Sequence, residues 1–293
     1  MIYDIKLTIT YDYAAPSMQA RNVLRVLPLN RAGEQRRITG ELSFDPRPQE
    51  RMDWTDFFGN AMTEIGFLKP LTKLTVELRA RVERIARPPQ LDLSPNRVRL
   101  AQELSELTSI GADSPHHFLA PSPRVGFDSA ISDFVGGILI EGSTVLAAVR
   151  DVGRALHGEM RFDAQATDVN TPPSESFRNR HGVCQDFSHV MIAGLRAHGI
   201  PAGYVSGFLR TEPPEGQPRL EGADAMHAWV RIWCGAELGW IEYDPTNDLM
   251  VGADHVVVAV GRDYSDVAPV KGAVRSSGGQ KSRHTVDMVP LTG

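Results

Sequence analysis

Residues 2–12 alternate without a break. Ile2, Asp4, Lys6, Thr8 and Thr10 fall on one side and Tyr3, Ile5, Leu7, Ile9 and Tyr11 on the other, a period of two that marks a half-buried β-strand. Similar runs follow at NVLRVLPL, RITGELSFDP and LTVELRARVERI, separated by loops rich in Pro, Gly and charge. Several short strands with turns between them predict a β-sandwich-like N-terminal domain over residues 1–90. The stretch ARPPQLDLSPN ends this pattern and reads as a boundary. Beyond it helical periodicity appears at 96–108 and 142–158, so residues 91–157 read as a helical linker region. Residues 158–293 then form a second unit, with TVDMVPL as a final strand. A chain of 293 residues exceeds one typical core, which agrees with more than one domain and an α+β class.

Charge narrows the partners. Lys and Arg number 31 against 36 Asp and Glu, a net charge of −5 with no long basic run, which argues against nucleic acid or an anionic membrane surface. Asp4 and Lys6 place charges within the first six residues and no uninterrupted apolar span reaches about 18 residues, so a cytoplasmic protein is expected, with small molecules, peptides or proteins as its partners or substrates. Two cysteines, Cys184 and Cys234, cannot build a disulfide framework and fit a reducing compartment. Neither composition nor pattern sets the oligomeric state.

One of the two thiols is placed for chemistry. Phe187, Val190, Met191 and Leu195 recur at spacings of three and four, with Gly194 on the same side, and HGIP closes the segment. That is an amphipathic helix with a Gly stop and a Pro that cannot continue it. Counting back, Cys184 falls in the first turn. There the unpaired N–H groups and the helix dipole favour a thiolate, and they can stabilise an oxyanion beside the sulfur.

A nucleophilic thiol needs a base held by a third group. In MHAWVRIWCGAELGWIEYDPTND, residues 226–234 alternate as a strand with His227, Trp229, Arg231 and Trp233 on one face. After a turn, Trp240, Glu242 and Asp244 share a face of the next strand. A two-residue loop would set His227 opposite Asp244, and a four-residue loop would set Asp244 opposite Trp229. Both registers leave His227 and Asp244 within one cross-strand step. Pro245 ends that strand.

Other residues carry competing readings. His181, Cys184, Asp186 and His189 are metal-ligand types, but their spacing on a helix does not bring them to one face; helix-start charge for Asp186 and packing for His189 are favoured, and no metal or cofactor is expected. His116 and His117, in a Pro-rich loop, read as solvated. Gln185 offers an amide to an oxyanion, although the Cys184 backbone N–H is the better donor. Glu242 reads as solvated charge, and Trp229, Trp233 and Trp240 read mainly as core or interface aromatics. The Pro-, Gly- and acid-rich segment 211–224 reads as a rim or lid ahead of His227.

The segments GVCQDFSHVMIAGLRAHGIPAGYVSGFL, DAMHAWVRIW and GWIEYDPTND resemble the core of the transglutaminase-like superfamily. YDYAAPSMQARNVLRVLPL, DFFGN and GRDYSDVAPVKG resemble the β-rich flanks of a bacterial subgroup. The resemblance implies a papain-like core, helices packed on an antiparallel sheet, within residues 158–293. It implies Cys184 as nucleophile, His227 as general base and acid, and Asp244 as the group that orients His227. The subgroup's pattern has a glycine before Ala166 and Thr167, where this chain has Gln165. The implied activity is thiol-dependent hydrolysis of an amide or peptide bond. The alternatives are acyl transfer to an amine and, in another class, a peptide-binding module without catalysis.

Overall fold

The structure is a computed structural model that describes residues 1–85, 91–211, 222, 224–275 and 279–291. The alternating N-terminal text forms β1 (Ile2–Leu24), β2 (Gln35–Asp45), β3 (Glu50–Thr55), β4 (Ala61–Phe67) and β5 (Leu71–Arg84). They lie in the order β2-β5-β1-β4-β3. Tyr3, Ile5, Leu7 and Ile9 are buried on one face, as their alternation requires. Register with β5 shifts between Asp12 and Ser17, and past that irregularity β4 becomes the partner, with Ala20 opposite Phe67. β1 is therefore shared by two wings of one sheet.

Between the two ends of that sheet lies the second unit. It comprises α1 (Arg97–Glu106), α2 (Ser129–Ile138), α3 (Val145–Glu159), β6 (Arg161–Phe162), α4 (Pro173–Asn179), β7 (His181–Gly182) and α5 (Cys184–Ala197). Then follow β8 (Ala202–Leu209), β9 (Ala225–Trp233), α6 (Gly235–Leu238), β10 (Trp240–Asp244), β11 (Leu249–Met250), β12 (His255–Gly261) and α7 (Tyr264–Val267). A five-stranded antiparallel sheet in the order β11-β10-β9-β8-β12 carries α5 on one face, and α2, α3 and α4 cover the far side of that helix.

This layering changes two expectations. The helix at Cys184 is buried all round, with every residue from Gln185 to Arg196 inside, because it is the middle layer. Gly194 permits this, since a Cβ there would stand 2.4 Å from Val135. The stretch 91–157, expected to be a linker, instead supplies α2 and α3 to the core. The ends of the chain also meet. β13 (Val270–Arg275) and β14 (Gln280–Leu291) join the first sheet, and β14 pairs with β1 from Leu291 opposite Ile2 to Gln280 opposite Tyr13. The final strand therefore does not belong with residues 158–269: a lone β14 would leave its ladder groups unpaired, and pairing buries Val286 and Met288 beside the β1 core face. Among the described residues no helix is long and apolar enough to cross a membrane.

The two units are joined along β12, the outer strand of the second sheet. The Gln35 side-chain amide donates to the Val257 carbonyl at 2.7 Å and accepts from the Val257 N–H at 2.8 Å. Asn60 does the same to Val260, at 2.8 Å each way. Two side-chain amides thus replace a neighbouring strand and satisfy an edge that would otherwise be open. Replacing Asn60 by alanine should leave the Val260 N–H and carbonyl buried without partners and cost on the order of 2 kcal/mol or more. Urea unfolding should show the midpoint falling with the slope unchanged; an unchanged midpoint contradicts the lock.

Candidate active site

The approach to Cys184 is fixed by short-range geometry. β7 pairs in parallel with β6, His181 against Arg161 and Gly182 against Phe162, and Val183 follows as the extended cap of α5. Asp186 reaches back to accept the Val183 N–H at 2.8 Å and also accepts the Thr167 hydroxyl at 2.6 Å. Burial pushes the Asp186 carboxyl up, against the pull of these hydrogen bonds. Gly182 is required here, because a Cβ would lie 2.6 Å from Asp186 Oδ2. Gln165, where the resemblance leads one to expect glycine, leaves the Thr167 anchor in place. Cys184 is then the first residue of α5, half-buried, while Cys234 is fully buried.

The β9–β10 register resolves the two alternatives. Trp240 opposes Trp233 and Tyr243 opposes Val230, so the connection is the four residues of α6 and Asp244 lies diagonal to His227. Their side chains meet, His227 Nε2 to Asp244 Oδ2 at 2.7 Å. The carboxylate is fully buried and its other partners are all N–H groups. Oδ1 accepts the backbone N–H of Thr246 at 3.0 Å and of Asn247 at 3.2 Å. Oδ2 also accepts from the Asn247 side chain at 2.7 Å and from His255 Nε2 at 3.1 Å.

Burial alone would favour the neutral acid, but the hydrogen bonds from His227 and His255, the His227 charge and Asn247 outweigh it and hold Asp244 well below the usual carboxylate range. An ionised carboxylate only accepts, so both imidazoles carry their proton on Nε2. With Nε2 committed to Asp244, His227 Nδ1 is the ring nitrogen left for Cys184, which lies near enough to act on the ring. Burial disfavours the imidazolium, yet its interaction with Cys184, the Asp244 hydrogen bond and the Asp244 charge together raise His227 to about 10.

His227, Asp244 and His255 present ligand-type atoms within 4.8 Å of one another. Around a tetrahedral zinc, ligand atoms stand about 3.3 Å apart; the 2.7 and 3.1 Å separations here are those of N–H···O hydrogen bonds. The residues therefore fit a proton-linked network better than a metal centre.

His255 and Asn247 were missed from the sequence. Asn247 lies three residues past Asp244 in a turn, which is a readable signal. His255 opens β12 on the opposite edge of the sheet from β11, carried there by residues 251–254, and no local spacing announces that. Glu242 is not solvated: its side chain is 8% exposed, paired with Arg31 of the N-terminal region, and accepts from Trp229 Nε1 at 2.8 Å. Trp229 is fully buried and stands edge-on to the His255 ring at 5.1 Å between centroids. Trp233 is also buried, while Trp240 stacks under the Arg231 guanidinium at 3.9 Å.

The Gln185 amide is turned to the Val169 carbonyl at 3.4 Å. His189 is buried beside Tyr264, whose N–H it accepts at 3.2 Å, and burial, against the opposing Asp263 charge, lowers it to about 4, so its ring is neutral. His116 and His117 bond to the carbonyls of Leu107 and of Ile110 and Gly111, so they brace a loop rather than float in solvent. The rim segment 211–224 lies mostly outside the described residues.

Comparison with known proteins agrees with this geometry. Residues 133–245 match the transglutaminase-like superfamily and residues 3–83 the bacterial transglutaminase-like N-terminal region. An uncharacterized protein of Mycobacterium tuberculosis is 31% identical over 289 residues, covering 97% of this chain and 89% of its own. A protein-glutamine gamma-glutamyltransferase of Pseudomonas aeruginosa is 41% identical over 71 residues, covering 24% of this chain and 10% of its own. The crystal structure of a candidate cysteine protease from Cytophaga hutchinsonii superposes with a TM-score of 0.78 at 21% identity, covering all of this chain and 91% of that one.

The electrostatics make a prediction about His227. Its folded value lies above the ordinary one near 6.5, so its contribution to stability is complete below that pH and is lost as pH rises through about 10. Nuclear magnetic resonance titration should find the ring protonated at pH 8, and an Asp244→Asn variant should lower its pKa. A wild-type ring that titrates near 6.5 contradicts the account.

Proposed function

We propose that this protein, which belongs to the transglutaminase-like superfamily, cleaves amide or peptide bonds through a thioester on Cys184 and passes the acyl group to water. The observation that carries the proposal is the 2.7 Å bond from His227 Nε2 to a buried, ionised Asp244. It takes one ring nitrogen out of play and leaves the other for the thiol at the start of α5.

The steps follow from that tautomer. The Cys184 sulfur, its proton passed to His227 Nδ1, attacks the carbonyl carbon, and the carbonyl electrons move to oxygen. The Cys184 backbone N–H is a donor for that oxyanion. Collapse breaks the C–N bond while His227 Nδ1–H protonates the departing amine, leaving the thioester. A water molecule, giving its proton back to Nδ1, then attacks the thioester and releases the carboxylic acid and the thiolate. Asp244 stays ionised throughout and compensates the imidazolium each time it forms.

Acyl transfer to an amine is the second reading, supported by the name of the Pseudomonas relative. Against it, Trp229 and Trp233 are packed in the core, and hydrolysis needs nothing beyond Cys184, His227, Asp244 and water, so hydrolysis is the reading preferred. With a glutamine-containing peptide library, ammonia or amine release should not depend on an added primary amine, and Cys184→Ala should lower it by at least about 10⁴-fold. Covalent amine incorporation outpacing hydrolysis overturns the choice of water. Retained activity in Cys184→Ala overturns the thioester.

A further inference from the structure

Asp244 Oδ2 serves two histidines. His227 uses it at 2.7 Å and His255 at 3.1 Å, the two rings arriving from different strands of the sheet. His255 is 3% exposed, and its other nitrogen, Nδ1, is buried with no hydrogen-bond partner among the described residues. A histidine kept only for packing would be expected to satisfy both nitrogens or to give way to an apolar residue of similar size. Among the described residues one nitrogen is left without a partner, and the hydrogen bond that the ring makes goes to the oxygen that orients His227.

The support behind His255 is equally specific. Trp229 stands edge-on to it, and the Trp229 indole N–H is held by Glu242 at 2.8 Å. Glu242 is in turn paired with Arg31, which also meets Glu34 at 3.0 Å. The ring that braces Asp244 is thus itself braced by the N-terminal region.

We infer that His255 is a positioning residue of the catalytic site: its Nε2–H supplies the second imidazole donor that keeps Asp244 ionised and its Oδ2 turned to His227. The inference rests on the thioester reading, in which His227 must hold its proton on Nε2 so that Nδ1 can exchange one with the thiol and the leaving amine. With a single imidazole donor, a fully buried carboxylate has less to hold its charge and its rotamer. The His227 tautomer is then less firmly set.

Two substitutions separate hydrogen bonding from packing. His255→Phe keeps the ring volume and loses the donor; His255→Gln loses the ring but places a side-chain N–H at about the reach of Nε2. Steady-state kinetics should show His255→Phe losing about 10- to 100-fold in kcat with KM little changed, and His255→Gln recovering most of that loss. Independently of any variant, proton spectra of the wild type should show two low-field imidazole N–H signals, one of which disappears in His255→Gln. His255→Phe matching or exceeding His255→Gln in kcat overturns the inference, as do a single low-field signal in the wild type and a stoichiometric zinc ion bound by the purified wild type and lost from His255→Phe. Cys184→Ala, assayed in parallel, tests the thioester reading separately, since the two-signal spectrum does not depend on turnover.

Discussion

A fully buried carboxylate that remains ionised is the constraint from which the rest of the site follows. Asp244 gives up water, which is costly for a charge, and recovers the loss through five N–H groups from Thr246, Asn247, His227 and His255. Because every one of those partners must donate, the Nε2 proton of both rings is fixed before any substrate arrives. Nε2 of His227 is thereby committed to Asp244, and Nδ1 is the nitrogen that the proposed chemistry at Cys184 would use.

The remaining architecture keeps these groups in place. α5 is gripped between the sheet and α2, α3 and α4, so the thiol at its start has little freedom to drift. The Asp186 cap and Gly182 fix the turn that delivers it. On the other side, Gln35 and Asn60 hold β12 by amide pairs, and Arg31 neutralises Glu242 beneath Trp229. The N-terminal region is therefore continuous with the framework around Asp244, and the return of β14 to β1 ties the ends of the chain into the same body.

Much of this could be read from the residues. Cys184 at a helix start, His227 and Asp244 on adjacent strands and the alternation of β1 all follow from local periodicity, and the structure places them as expected. Local periodicity could not say that the Cys184 helix is a central layer, because its polar positions Ser188 and His189 are buried as well, His189 against the Tyr204 ring and the Tyr264 N–H. For the same reason Glu242 looked solvated, since its partner Arg31 lies 211 residues away. His255 was illegible because a short crossover, not a spacing, carries it to Asp244. The fate of β13 and β14 depends on which strand edge is free, and that is a property of the assembled sheet.

The claim that Cys184 carries the chemistry is tested most directly by acid-quenching the enzyme during turnover of a peptide or amide substrate and measuring its intact mass and peptide map. The account predicts an added mass equal to the acyl part of the substrate without its amine, confined to Cys184, labile to hydroxylamine and absent from Cys184→Ala. Product formation with no adduct on Cys184, under conditions where the acylated enzyme would accumulate, or an adduct on another residue, would contradict it.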